Sequence, residues 1–278
     1  MGIIPAVRVP LISTQNIGKA EFIIHSTHTT SPQIKDALSD LPRIAKLVEK
    51  DTGWKLSGRL HICTPDVDAL MNKIDSERAA TFNIHFKTED FAKIREIFDK
   101  EDLDAVRAQM NLVEAVYMPH LKELCLADHG VNAIGTSDDV KSSLYHELVH
   151  YLQDTHHPEF MAAIDQAKVI SMRLNLENDK KNAKLIKIME NRVLSLQSMA
   201  EGQPTRLQQI HDKDYFPNKV NKDGNYKALK IVTTLLPFGL LKKVNQYIKG
   251  VDFFKVHPVS TPAVDQFFNP RFAETAIK

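Results

Sequence analysis

Tyr145-His146-Glu147-Leu148-Val149-His150-Tyr151-Leu152-Gln153 carries the chemistry of this chain. Its centre is H-E-x-x-H. On a helix, residues four apart lie on one face about a turn apart. The imidazoles of His146 and His150 are therefore side by side, able to grip one metal ion. Glu147 sits one residue round from His146, so its carboxylate reaches a water on that metal. Two neutral nitrogen ligands and an adjacent carboxylate are what metal-assisted hydrolysis requires, and Zn²⁺ is the metal that suits them. Leu144, Leu148, Val149 and Leu152 form an apolar face that buries the helix. Ser137 or Asp138 is expected to cap its start. His157-Pro158 limits its far end.

Working outward, the N-terminal half reads as mixed α/β. Residues 1–30 hold extended-looking Val7-Arg8-Val9 and Phe22-Ile23-Ile24, expected as loop or edge strand. A helical stretch from Ser31-Pro32 to Lys50 is kinked or split at Pro42 and ended by Thr52-Gly53. Leu56–Cys63 reads as a strand, and Pro65-Asp66 opens a short helix bearing Val67, Leu70, Met71 and Ile74. Thr81–Lys87 alternates apolar and polar residues and predicts a strand. Glu89–Ala115 predicts two helical pieces, whose apolar stripe runs on to Val116. Lys122–Ala127 predicts a strand, and Val131–Gly135 either an edge strand that aligns an extended substrate or a connecting loop.

After Glu159 the pattern is mostly helical: Phe160–Leu176, then Asn182–Ala200 with Leu185, Ile186, Met189, Val193, Leu196 and Met199 inward. Glu201-Gly202-Gln203-Pro204 is expected to end or bend that helix. Lys227–Lys249 is helical on both sides of Pro237-Phe238-Gly239, and the tail from Val251 reads as irregular. The expected fold class is α+β. A small mixed sheet with helices occupies residues 1–158, ending in the H-E-x-x-H helix, and a mainly helical subdomain occupies residues 159–278.

The bulk numbers narrow the function classes. The 278 residues carry a net charge of +1, so no strong field favours nucleic acid or an anionic membrane. Hydrophobic residues make up 43% and charged residues 26%, as in a soluble globular protein. Two cysteines, Cys63 and Cys125, argue against a disulfide framework. Cys125 reads as a buried strand cysteine acting as a small hydrophobe. Pro5, Arg8 and Pro10 break the N-terminal apolar stretch, so no secretory signal is expected. Ile231–Leu241 is too short to span a bilayer. The expected setting is the cytoplasm, or export by a route without a classical signal peptide, as for a secreted effector.

The H-E-x-x-H helix after a small sheet, with a later helix reaching Ala200-Glu201-Gly202, resembles the zincin metallopeptidases. In the gluzincin branch the third zinc ligand is a glutamate on a downstream helix. The resemblance gives that role to Glu201, 51 residues beyond His150. Thermolysin-like gluzincins place an aspartate four residues after that glutamate to orient a zinc histidine. Thr205 stands there in this chain, so His146 or His150 needs another partner. Two rivals to Glu201 remain. His156 stands at the metzincin spacing, but Gln153 occupies the place where that branch needs a helix-breaking glycine. Cys125 matches the upstream cysteine of peptide deformylases, although Leu124 replaces the glycine before it.

The resemblance implies a peptidase acting on a protein or peptide, with Glu147 as general base. A donor to the oxyanion is also implied. His211 and Tyr215 lie nearest after Glu201 and are preferred over Tyr226, Tyr247 and His257. The other class of function is a zincin-fold binding or effector protein without general proteolysis. The absence of a visible leader or disulfide framework fits narrow specificity. The sequence does not give the oligomeric state.

Overall fold

A computed structural model describes residues 11–26, 30–85, 114–128, 135–177, 180–220 and 238–277. The readings placed on Val7–Val9, most of Glu89–Ala115, Val131–Ile134, Tyr226 and Lys227–Pro237 lie outside these residues. The fold is α+β, with a five-stranded mixed sheet and a majority of helix.

β1 (Leu11–Ile17) and β2 (Lys19–Ser26) form a hairpin. Gly18 closes it with φ +61°, a backbone region open to glycine without steric cost. β3 (Ser57–Cys63) runs parallel to β2, and β5 (Glu123–Leu126) parallel to β3. β4 (Ala115–Met118) is antiparallel to β5 and forms the far edge, giving the order β1-β2-β3-β5-β4. Phe22–Ile24 therefore belongs to an interior strand, not to a loop or edge. Phe22, Ile24, Leu60, Ile62, Leu124 and Leu126 form the sheet's larger buried face. The other face presents Cys63 and Cys125 against Leu70 and Ile74 of the helix Val67–His85.

α1 (Pro32–Ser39) begins where Ser31 accepts the Ile34 N–H, and α2 (Leu41–Thr52) follows directly, so the chain splits near Pro42. Gly53, at φ +77°, terminates α2. α3 runs from Val67 to His85 as one helix. The strand expected at Thr81–Lys87 is thus helical through His85. No glycine or proline interrupts residues 67–85, and alternation over so few residues does not exclude a helix. Ala115 and Val116 lie in β4 and not at a helix end, because they pair with Leu126 and Cys125.

α4 (Ser137–His156) carries the motif. Its cap is Thr136, one residue before the expected Ser137 or Asp138. Thr136 Oγ1 accepts the Asp139 N–H, while the Asp139 carboxylate accepts the Thr136 N–H at 2.7 Å, a reciprocal capping box. Pro158 then opens α5 (Pro158–Glu177). A 3₁₀ turn at Lys180–Asn182 leads into α6, which spans Ala183–Tyr215. This 33-residue helix neither stops at Ala200 nor ends at Pro204. Its first turns project outward, and Leu185, expected inside, is 44% exposed. α7 (Phe238–Val256) carries helix past Val251, and α8 (Pro270–Ala276) follows, so most of the supposedly irregular tail is ordered. Cys63 and Cys125 are cross-strand neighbours, 4.7 Å apart at Cα, and form a disulfide, so Cys125 is not a free apolar thiol.

A single core joins the sheet, α1, α2, α4 and the C-terminal helices. α6 and α7 approach backbone to backbone where Gly202 meets Gly250. A Cβ on Gly250 would lie 1.9 Å from the Ser198 carbonyl oxygen, and one on Gly202 would lie 2.4 Å from the Gly250 carbonyl carbon. Backbone against backbone leaves nothing flexible to yield. Gly250→Ala is expected to destabilise the fold by about 1–3 kcal/mol through overpacking, read as a lower midpoint in urea unfolding. An unchanged midpoint would show that the crossing is looser than these distances.

Candidate metal centre

Three stripes of α4 do three jobs. Leu144, Leu148 and Leu152 enter the core. Ser143 and Glu147 face β4, where Ser143 Oγ donates to Glu114 and Glu147 Oε2 accepts the backbone N–H of Tyr117 at 2.7 Å. Tyr117 also donates its hydroxyl to Asp154, so the edge strand is laced along the helix. Ser142, His146, His150 and Gln153 recur at helical spacing and face α6.

α6 supplies Glu201. His146 Nε2, His150 Nε2 and Glu201 Oε2 converge with separations of 3.1, 3.3 and 3.5 Å. A tetrahedral zinc with bonds of 2.0–2.1 Å holds its ligand atoms about 3.3 Å apart. The donor set and spacing therefore fit Zn²⁺, as one of two clusters among the described residues able to hold a metal.

The outer hydrogen bonds determine which nitrogens are free. His150 Nδ1 lies 2.8 Å from Gln153 Oε1, and His146 Nδ1 lies 2.9 Å from Gln208 Oε1. Both glutamines are oriented by their amide nitrogens, which can only donate. Gln153 Nε2 donates to the Ala200 carbonyl and to Gln203 Oε1. Gln208 Nε2 donates to the Ser142 carbonyl and hydroxyl. Each Oε1 must then face a protonated Nδ1, which leaves both Nε2 lone pairs aimed at Glu201. Ala200 is free to accept because Pro204, four residues on, has no N–H to give it. The proline expected to end the helix thus supplies an anchor within it.

Two lone pairs and a carboxylate in one buried spot require a cation. Without a metal, that cation is a proton. Burial disfavours a charged His150, but the Glu201 charge and hydrogen bond outweigh it and push the imidazole up to about 9. Burial likewise opposes ionisation of Glu201, yet the His150 charge and the hydrogen bonds from both histidines hold its carboxyl well below the usual range.

The other residues read from sequence lie elsewhere. His211 and Tyr215 are on α6, 10 and 14 residues past Glu201, or about 15 and 21 Å along the helix. They stack on each other and face Asp51, to which Tyr215 donates at 3.0 Å. Burial and that bond push the Tyr215 phenol up to about 12, so it stays a donor committed to Asp51. His156 Nε2 faces the Lys55 carbonyl and its ring stacks on Trp54, away from the three ligand atoms. Cys125 lies on the opposite sheet face. His257 packs on Phe253 and Phe267. Of the downstream tyrosine and histidine candidates among the described residues, Tyr247 of α7 has its ring 6.4 Å from that of His146. The Gly202–Gly250 crossing brings it there. Gln208 escaped the sequence reading. Its signal was its place two turns after Glu201 on the same face.

Comparison with family models, curated proteins and solved structures returned no match. Among the described residues, no helix is long and apolar enough to cross a membrane.

Gln153→Leu and Gln208→Leu are each expected to weaken Zn²⁺ binding about 10–100-fold, measured against a competing chelator. Pro204→Ala returns an N–H that competes for Ala200 and should weaken binding in the same direction. Equal affinities in all three would remove the role given to the glutamines.

The pH dependence follows from the ion pair. His150 is raised, so its contribution to the metal-free fold is full below about 6.5 and is lost as pH rises through about 9. Glu201 is depressed, so its contribution is lost as pH falls below the carboxylate range. Zn²⁺ must displace the His150 proton. Its affinity should therefore fall about tenfold per pH unit below about pH 9. Titration calorimetry in buffers of different protonation enthalpy should report close to one proton released near neutral pH, and no release would contradict the pairing.

Proposed function

We propose that this chain is a zinc-dependent metallopeptidase of gluzincin-like type, cutting peptide bonds in a narrow set of protein targets. The observation that carries the reading is the convergence of His146, His150 and Glu201 at tetrahedral ligand spacing, with both imidazole tautomers set by glutamines. The mixed sheet with an antiparallel edge strand beside the motif helix supports the zincin-like comparison.

His146, His150 and Glu201 would hold the ion. Bound there, zinc supplies Lewis acidity, which acidifies a water and polarises a carbonyl. The chain's own groups handle the protons. The Tyr117 N–H fixes Glu147 Oε2, leaving Oε1 to take a proton from the attacking water. Glu147 then delivers that proton to the leaving amine. Tyr247 takes the role of donor to the developing oxyanion, in place of His211 and Tyr215, whose partner is Asp51.

Glu147→Gln is expected to keep fold and zinc while lowering kcat about 10²–10⁴-fold. Tyr247→Phe should lower kcat about 10²–10³-fold with little change in KM. Both are measured on cell-lysate proteins, with the products mapped by mass spectrometry. Undiminished cleavage by zinc-loaded Glu147→Gln would sink the mechanism. Wild-type protein that binds zinc and cuts nothing would point to the binding role instead.

A further inference from the structure

We propose that Cys63, Cys125 and Glu123 form a second metal site, for a thiophilic divalent cation such as Zn²⁺, open only when the cysteine pair is reduced. It lies on the sheet face opposite α4, independent of the His146–His150–Glu201 centre.

Strand register builds the site. β2, β3 and β5 are parallel, and alternate residues on each point to one face. Cys63 stands opposite Cys125, His61 opposite Glu123, and His25 opposite Cys63. These five residues thus share the face under α3, towards the carboxyl ends of three neighbouring strands, where open α/β sheets hold their ligands. The two sulfurs and a Glu123 oxygen lie within 4.8 Å of one another. Zinc with sulfur bonds near 2.3 Å needs such atoms about 3.5–3.8 Å apart, within reach of side-chain rotation.

Charge provides the gate. In the disulfide form the negative group of the cluster is Glu123, and Lys73 Nζ already pairs with it at 2.5 Å. A further cation gains nothing there. Reduction changes the balance. A dithiol donates two electrons and two protons, the S–S bond breaks, two S–H bonds form, and the dithiol leaves as its own disulfide. The sulfurs are buried among Leu70, Met118 and Ala127, with Ile74 and Val116 packed against them. Isolated thiolates are costly in that setting. A divalent cation displaces both protons and neutralises the two thiolates it creates, while Glu123 exchanges Lys73 for the metal.

A pair of histidines stands beside the site with no part in the α4 centre. His25 Nε2 and His61 Nδ1 are 3.0 Å apart and the rings are stacked. His61, the cross-strand neighbour of Glu123, is placed to complete the coordination.

The test is a Co²⁺ titration of the full chain, with and without a phosphine reductant, which leaves as its oxide and does not compete for the cobalt. Reduced wild-type protein should take up a second equivalent of Co²⁺ and develop a thiolate-to-cobalt charge-transfer band in the near ultraviolet. The oxidised protein should take up only the first equivalent, without the band. His146→Ala/His150→Ala should keep the band and lose the other equivalent, so failure here is separable from failure of the α4 centre. Cys63→Ser/Cys125→Ser should lose the band and keep the other equivalent. Reduced wild-type protein with no band and no added equivalent overturns the proposal, and so does a band that survives loss of both cysteines.

Discussion

One carbonyl oxygen organises the centre of this molecule. Pro204 cannot donate to Ala200, so that oxygen is left without its helical partner inside the core. Gln153 fills the vacancy from the neighbouring helix at 2.9 Å. The same amide, held at its nitrogen end, presents its oxygen to His150. A backbone defect in α6 therefore becomes the orienting element for His150 on α4. An orphaned buried carbonyl costs about 1–3 kcal/mol, so the contact also ties the two helices together. Gln208 makes the reciprocal link, reaching from α6 to the Ser142 backbone and to His146.

α4 succeeds as a hub because its three stripes differ chemically. The leucine stripe fixes its depth against the sheet. The polar stripe along β4 sets its rotation, since Glu147 and Asp154 hold two groups of the same residue, Tyr117. The third stripe carries His146 and His150, the proposed metal ligands. α6 and α7 close the other side through two facing glycines, and that approach brings Tyr247 near His146. The far face of the sheet, under α3, holds a separate set of sulfur, carboxylate and imidazole groups, insulated from the first by the apolar core.

Parts of this arrangement were legible in the residues. H-E-x-x-H puts two imidazoles on one face with a carboxylate beside them because a helix repeats every 3.6 residues, a purely local rule. The strands Leu56–Cys63 and Lys122–Ala127, and the helices from Ser31 and Phe160, followed from periodicity in the same way. Thr81–His85 misled because alternation over a few residues does not tell strand from helix. Pro204 misled because a proline breaks a helix only when the lost hydrogen bond is not replaced, and Gln153, 50 or so residues earlier in the chain, replaces it.

Local sequence thus determined the motif and its helix, and the zincin resemblance, with Thr205 where an aspartate is expected, called for another partner to His146 or His150. Tertiary packing alone decided who those partners are. In the sequence Gln153 only stands where the metzincin branch needs a helix-breaking glycine, and no local pattern ties Gln208 to a histidine. It likewise separated Tyr215 and His211, which follow Glu201 in the chain but lie several turns along α6 facing Asp51, from Tyr247, which is distant in sequence yet near in space. The cause is the same throughout. Hydrogen-bond partners across helices depend on crossing geometry, which arises from packing between segments and has no period that a single stretch of chain could display.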